Sequence, residues 1–387
     1  MTDQPTNQKI LFIYYKLFKA GGVARVLVSL ANELVKQGND ITILLMISDT
    51  SSFFELDSRV KVIYLDTFSH WGFTKINVNL NKYTPKLPYK NNIKNYVYDF
   101  GQWEMLHKWI NKNHQEYDVI ISTWYKLSAQ LALNKKANHK TIAWEHANFE
   151  VGGKLWNKLL RKYYKNLKAV VCINSPSLSY YKSINKQSFQ IPNLIGEPFD
   201  SFNSDKIKDK KNTLIYVGRL DSDKNVTELL QILENVNLLD FSFKIIGDGP
   251  SKSALENVVN SSEKLKNTVE FLGSRKINEI YDELSKSKLF LFTSKTECLP
   301  TVLIEATLMA NTLISYDCKY GPSDIIGANN GFLIPMHDQK MFQEKLQFLI
   351  DNSEDLDQLL YSSLKDSKKW SKEVILKQWD KILRNNE

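Results

Sequence analysis

At 387 residues the chain exceeds one ordinary hydrophobic core, so two units are expected, and 43% hydrophobic with 24% charged residues excludes long disorder. No apolar run reaches the roughly 18–20 residues of a membrane-spanning helix, and the opening MTDQPTNQKI lacks a basic-then-apolar export pattern, which makes the cytoplasm the expected address. The formal charge of +8 is concentrated: Val151 to Gln190 holds eight Lys or Arg and no acid, so an acidic surface is the natural neighbour, whether lipid head groups, nucleic acid or an anionic polymer.

In chain order, Lys9 to Tyr15 (KILFIYY) is a short apolar β-type run. A glycine turn follows, then Val23, Val26, Leu27, Leu30, Ala31 and Leu34 at helical spacing, with Gly38 closing the helix. DITILLMI supplies the next strand, which completes a βαβ unit of a parallel, doubly wound sheet. YDVIIST, HKTIAWEH and LKAVVCIN are further buried strands, and His70 to Asn95, rich in Asn, Lys and aromatics, reads as an inserted loop or irregular segment. Between Gly153 and Lys168, Leu155, Leu159, Tyr163 and Leu167 recur at i, i+4 among Lys158, Arg161, Lys162 and Lys165. Such a helix either packs in the core with a wet outer face or rests on anionic lipid, and both can hold at once.

Residues 196–212 are polar and aperiodic and read as a linker between residues 1–195 and a second cycle over 213–368. That cycle alternates strands (LIYVGR, FSFKIIGDG, TVEFLG, KLFLFTS, TLISY) with helices (NVTELLQILENV, SALENVV, INEIYDELSKS, TVLIEATLMA). WSKEVILKQWDKIL forms a closing helix within residues 369–387. The fold class is therefore α/β, with two Rossmann-like parallel sheets. Cys172, Cys298 and Cys318 are odd in number and lack C-x-x-C spacing, so small packed thiols are expected rather than disulfides or a zinc site.

The stretch TECLPTVLIEA places Glu297 and Glu305 in an otherwise apolar run. Pro300 suits the first turn of a helix and disfavours helical geometry just before it, so the helix should begin at Pro300 or Thr301. Glu297 then lies in the loop at the carboxyl edge of the sheet, where open α/β folds bind ligands, and Glu305 lies in the second helical turn. Unpaired amides around Thr301 to Leu303 would face an anion at that edge. YVGRLDSDKNV puts Arg219 and Lys224 past the end of the first strand of the second cycle, at the same edge, where two cations could hold a diphosphate and neutralise its charge as it leaves. Gly21 and Gly22 allow close backbone approach in the first half, although a tight turn there would require a glycine anyway. IIGDGP is half of a dinucleotide fingerprint, with Lys252 at the sixth position arguing against one. His146, after an apolar strand, is either a hydrogen-bonded structural residue or a cleft residue able to exchange a proton with a hydroxyl. The acidic triplet at Asp221 to Asp223 lies between cations, so its aspartates read as solvated turn residues and no metal is expected.

Taken together, GRL…K, IIGDGP, VEFLG, ECLPTVLIEA and YGPSDII…NNGFLIP resemble, in order over Leu214 to Pro335, the second half of the retaining nucleotide-sugar glycosyltransferases of family 4, which have the GT-B fold. AGGVARVLVSLANELVKQGNDITIL, WEH and IPN match the first half more loosely, and YGPSDII is similar to forms in capsule, exopolysaccharide and teichoic-acid glucosylating members. The resemblance implies two domains facing a central cleft, an acceptor-binding first domain and a donor-binding second one, with the closing helix packing back on the first. It implies that Arg219 and Lys224 grip the donor diphosphate, Glu297 positions the sugar hydroxyls and Glu305 holds the ribose. Gly218, Leu299, Pro300, Thr301 and Val302 would complete the donor site, Gly21 and Gly22 would let the first loop approach it, and His146 matches the family's cleft histidine. Cys298 and the Leu299-Pro300-Thr301 run depart from a commoner glycine-rich form, which leaves the donor sugar open.

The expected activity is metal-free and needs no cofactor beyond the donor, a UDP-sugar by resemblance, with a glycan, a lipid-linked or a teichoic-type acceptor for a bacterial surface polysaccharide. The protein would be cytoplasmic, with the basic segment 153–168 offering contact to the inner membrane face. Alternatives are a non-catalytic nucleotide-sugar-binding subunit and a sugar-nucleotide epimerase on the same fold. Nucleic acid is suggested by charge alone, without interleaved aromatic and basic sheet motifs.

Overall fold

Ile10, Leu11, Phe12 and Ile13 are all fully buried, as a strand covered on both faces requires, and this pattern is the basis of the whole architecture. The computed structural model describes residues 7–18, 21–48, 52–70, 75, 90–152 and 159–384. They divide into two units, Met1–Ile191 with Lys381–Glu387, and Pro192–Asp380.

The first unit contains β1 (Lys9–Tyr14), α1 (Gly22–Lys36), β2 (Asp40–Leu45), β3 (Lys61–Tyr64), α2 (Lys90–Asn113), β4 (Val119–Ser122), α3 (Tyr125–Ala132), β5 (Thr141–Glu145), β6 (Ala169–Cys172), α4 (Ser175–Lys182) and β7 (Ser188–Gln190). Its sheet runs β3-β2-β1-β4-β5-β6-β7, with every pairing parallel. Side chains alternate across it. Leu11, Ile13, Leu44 and Ile120 join Leu106, Ile110, Leu127 and Leu131 in one core cluster. Ala143, Val170 and Cys172 join Tyr164, Leu167 and Tyr181 in another.

The second unit contains β8 (Lys211–Val217), α5 (Val226–Glu234), β9 (Ser242–Ile246), α6 (Lys252–Asn260), α7 (Glu263–Thr268), β10 (Val269–Gly273), α8 (Ile277–Lys286), β11 (Ser287–Phe292), α9 (Thr301–Leu308), β12 (Thr312–Tyr316), α10 (Pro322–Ile325), β13 (Gly331–Ile334), α11 (Gln339–Asp351), α12 (Ser353–Ser367) and α13 (Lys372–Arg384) as far as Asp380, the last turn of α13 belonging to the first unit. Its parallel order is β10-β9-β8-β11-β12-β13. The chain leaves β8 in one direction and returns to its other side as β11, so the order reverses between these two strands. Both end at one sheet edge, and the gap between loops at such a reversal is where doubly wound sheets bind ligands. The two parallel-sheet units agree with the expected α/β class.

Four expectations need correction. The irregular segment expected over His70 to Asn95 lies partly outside the described residues, but from Lys90 it is the start of α2. Among its described side chains the buried stripe is narrow, Gln102, Leu106 and Ile110, which gives little apolar period to read. The linker expected over 196–212 ends sooner, because β8 takes Lys211 and Asn212, and it is packed, with Phe199 and Ile207 buried. The first part of the basic segment, 153–158, lies outside the described residues; where described it is not an α-helix, with 159–160 π-helical and Arg161–Asn166 3₁₀. Three residues per turn bring Arg161, Tyr164 and Leu167 inward, whereas Leu159 of the expected i, i+4 stripe is 51% exposed. Arg161, expected among the outer cations, is thus buried. Lastly, Cys172 and Cys318 are buried as expected, while Cys298 is partly exposed.

Candidate active site

The second unit stitches the two loops at its strand reversal together. After β8, Lys224 Nζ forms an ion pair with Glu297 Oε1, from the loop after β11, with the two side chains only 24% and 12% exposed. Around that pair the backbone is tied directly: the Lys295 amide donates to Asp223 O (2.7 Å), and Thr293 Oγ1 donates to the carbonyls of Lys224 (3.3 Å) and Asn225 (3.1 Å). Ser294 Oγ adds a bond to Asp223 O at 3.3 Å. Two positions that sequence spacing brought to one edge are therefore in contact.

Arg219 precedes them in the same loop. Its guanidinium is 77% exposed and pairs with Asp221 Oδ2 at 2.6 Å. Asp221 also accepts the amides of Asp223 (3.1 Å) and Lys224 (3.2 Å) on Oδ1, so it is a turn-forming residue. At 15% exposure it is more sheltered than the solvated aspartate expected. The backbone under Arg219 is fixed by close packing of IIGDGP: Gly218 N donates to Ile246 O (3.0 Å) and Leu220 N to Asp248 O (2.9 Å). At Gly247, φ 146°, a Cβ would stand 1.8 Å from Gly218 O, which only glycine permits. The half-fingerprint is thus a backbone-on-backbone contact. Gly218 itself leaves room for the Tyr216 hydroxyl, which donates to Arg219 O at 3.0 Å.

On the other side of the reversal, α9 begins at Thr301 with Pro300 as its extended N-cap, as the proline rule requires. Leu299 is buried, Thr301 and Val302 are partly exposed in the first turn, and Glu305 is 4% exposed. The Leu303 amide, expected among the unpaired ones, donates to Pro300 O at 3.0 Å, so the anion-facing capacity of this end of α9 rests on the amides before it. The YGPSDII segment backs this loop, with Gly321 at φ 97° where a Cβ would lie 2.6 Å from Pro300 Cδ and 3.0 Å from Cys298 O.

Gly21, Gly22 and His146 belong to the first unit. Gly21 is the extended N-cap of α1, which starts at Gly22, and a Cβ at Gly22 would meet nothing within 4 Å. His146 follows β5, partly buried, with its ring 4.3 Å from that of Trp144. Sequence reasoning read Asp221 only as a solvated turn residue and missed Asn225, Thr293 and Ser294. The signal for the last two was a pair of hydroxyl residues ending an apolar strand. A separate cavity of about 600 Å³, lined by Phe199, Phe202, Tyr361, Lys365 and Trp370, shares no residue with the Lys224–Glu297 site. Among the described residues no cluster of three or more His, Cys, Asp or Glu could hold a metal ion, and no helix is long and apolar enough to cross a membrane.

Comparison with known proteins extends these local observations to both halves of the chain. Residues 20–194 match the model of Glycosyltransferase Family 4, and residues 199–366 match Glycosyl transferases group 1. The amylovoran biosynthesis glycosyltransferase AmsD of Erwinia amylovora is 27% identical over 97% of this chain and 99% of its own. The GalNAc-alpha-(1->4)-GalNAc-alpha-(1->3)-diNAcBac-PP-undecaprenol alpha-1,4-N-acetyl-D-galactosaminyltransferase of Campylobacter jejuni is 27% identical over 97% of this chain and 98% of its own. Among solved structures, HepE of Anabaena in complex with UDP shares the fold with a TM-score of 0.71 at 16% identity, covering 97% of this chain and 99% of that one. With one family model on each half and full-length relatives of the same kind, the chain belongs to the family 4, group 1 glycosyltransferases.

Proposed function

We propose that the protein is a retaining, metal-independent hexosyltransferase that moves a sugar from a nucleoside diphosphate sugar to an acceptor hydroxyl in the synthesis of a bacterial surface polysaccharide. The observation that carries this reading is the Lys224–Glu297 pair at the strand reversal of the second unit, flanked by Arg219 and the start of α9. AmsD supports the polysaccharide context by its name, and the Campylobacter enzyme supports a lipid-linked glycan acceptor. The UDP complex of HepE supports a UDP-sugar donor.

In this mechanism Lys224 and Arg219 take the donor diphosphate, with the amides near Leu299 to Val302 completing its cradle. Lys224 then exchanges part of its hold on Glu297 for the phosphate, which frees the Glu297 carboxylate to accept hydroxyls of the sugar. Glu305 accepts the ribose hydroxyls. The acceptor oxygen bonds to the anomeric carbon as the bond from that carbon to the diphosphate oxygen breaks, and the acceptor proton passes to the departing phosphate on the same face. The barrier falls because charge growing on the diphosphate meets cations and dipoles already in place. His146 is assigned to the acceptor side. No cofactor beyond the donor takes part.

Thermal unfolding in the presence of a panel of nucleotide sugars tests the reading, since a specific donor raises the midpoint by mass action. One UDP-sugar is expected to stabilise the protein and to be consumed with a lipid-linked or polymeric acceptor, without inhibition by chelator. No stabilisation by any nucleotide sugar, or activity abolished by chelator and restored by manganese, would overturn it.

A further inference from the structure

The residue after Lys224 has an unusual backbone. Asn225 sits at φ 56°, ψ 35°, the left-handed region, as N-cap of α5. Apart from glycine, Asn is among the residues that enter this region at least cost, and it still needs its surroundings to hold it there. Its side-chain amide donates to Glu228 Oε2, in the first turn of the helix it caps.

Glu228 is only 8% exposed, and besides Asn225 it binds two residues from distant parts of the second unit. Oε1 accepts the Tyr316 hydroxyl at the end of β12 (2.7 Å), and Oε2 meets Nδ1 of His337, in the turn before α11 (2.9 Å). Burial alone would raise this carboxyl, but the hydrogen bonds from Tyr316, Asn225 and His337 outweigh it and leave it below the ordinary carboxylate range. A buried carboxylate held by three donors is expensive to build and orders the groups that donate to it. Here one of those groups is the turn that launches Lys224. The same turn is gripped from its other side by Thr293 Oγ1 on the Lys224 and Asn225 carbonyls.

We propose that Glu228 is a positioning residue of the transfer reaction: by fixing Asn225 in its left-handed turn it aims Lys224 at Glu297 and the donor diphosphate. This rests on the role given to Lys224 above, and it adds a residue with no contact to the donor. The Asn225 turn is the intermediary, so glycine at 225, which takes the left-handed conformation without help, makes Glu228 dispensable for aiming the lysine.

The test uses the full-length protein with N225A, N225G, E228Q and N225G/E228Q. Transfer kinetics, UDP affinity by calorimetry, melting temperature and amide hydrogen exchange over residues 221–228 are read for each. N225A and E228Q are expected to lower kcat by about tenfold or more and to speed exchange of the Lys224 amide, with UDP affinity changed less than kcat. N225G should recover most of the kcat lost in N225A, and adding E228Q to it should cost less than twofold, a non-additive pair. Equal losses in N225A and N225G, the same cost of E228Q in both backgrounds, or unchanged exchange in E228Q would overturn the proposal. A wild-type protein that neither binds UDP nor consumes any sugar nucleotide would instead defeat the functional reading, and exchange at Lys224 would still decide whether Glu228 holds the turn.

Discussion

Arg161 and Glu145 form an ion pair at 3.3 Å in the first unit with side-chain exposures of 0% and 1%. The Glu145 carboxylate also accepts the hydroxyls of Tyr164 (2.6 Å) and Tyr181 (3.0 Å), while the guanidinium donates to the carbonyls of Phe149 and Val151. Burial, the largest single influence, would lower the Arg161 pKa, but Glu145 together with Tyr181 and Tyr164 outweighs it and raises the pKa, keeping the guanidinium charged. Glu145 immediately precedes His146, and Arg161 grips the loop that follows, so the pair sets the path of the chain on both sides of the histidine. Removing one partner strands a buried charge, for which about 3–5 kcal/mol is the usual cost. R161M and E145Q are each expected to lose that much in denaturant unfolding, and the double variant less than the sum. A loss under about 1 kcal/mol in R161M would show the pair to be dispensable.

Lys224→Ala and Arg219→Ala should separate activity from stability. Arg219 is exposed, so its pair contributes only about 0–1 kcal/mol to folding, and the more sheltered Lys224 pair on the order of 1 kcal/mol or somewhat more. Their expected effect is on turnover, about 100-fold or more for Lys224, because a preorganised charge facing a leaving group is worth far more in the transition state. Initial rates at saturating donor, with melting curves alongside, provide the check. Near-normal rates in K224A would remove Lys224 from the chemistry.

Lys210 gives a pH signature in the second unit. Its Nζ is buried and donates to the carbonyls of Ser287 (2.6 Å) and Leu284 (3.2 Å), and burial, helped by Lys288, pushes its pKa down to about 7. The unfolded chain keeps the ordinary value near 10.4, so between about pH 7 and 10 the unfolded state binds more protons and this residue makes stability rise with pH. Below pH 7 both states are protonated and the cost of burying the charge is fully present. K210M should therefore flatten the curve: the difference in unfolding free energy, wild type minus variant, should grow from pH 7 to pH 9.5 by at most about 1.4 kcal/mol per unit. A difference constant with pH would refute the assignment.

Within the described part of the basic segment, which excludes 153–158, fewer cations are open to membrane contact than expected. Lys162 and Lys165 are exposed on the 3₁₀ turns, with Leu159 exposed just before them, whereas Arg161 is committed to Glu145. K162Q/K165Q should weaken sedimentation with vesicles containing phosphatidylglycerol by about thirtyfold, at roughly 1 kcal/mol per charge, and leave melting unchanged. Binding equal to wild type would confine this segment to packing.

Much of this was legible in the sequence, for reasons that also explain what was not. The inner strands β1, β2, β4 to β6, β8, β9, β11 and β12 are buried on both faces and read as apolar runs. The unread β3, β7 and β13 are sheet edges of three or four residues, too short and too open on one side to carry a pattern. Pro300 announced where α9 begins, and the alternation of elements put Lys224 and Glu297 at one sheet edge. Glu228 could not be read, because its partners Tyr316 and His337 lie far along the chain and meet it only through the strand order. Arg161 failed for another cause: its charge suggested an outer face, and no local pattern distinguishes a 3₁₀ turn from the α-helix that period would require.

The passage of Gly247 against Gly218 gives the second unit a form of tolerance. Because main-chain atoms of one loop rest on main-chain atoms of the other, the location of Arg219 is set by peptide geometry, and the side chains surrounding it can vary widely without moving it. The cost of that freedom is concentrated in a single hydrogen atom. Even a methyl group at position 247 would pry the arginine's loop from its support, leaving a folded sheet with its charge in the wrong place.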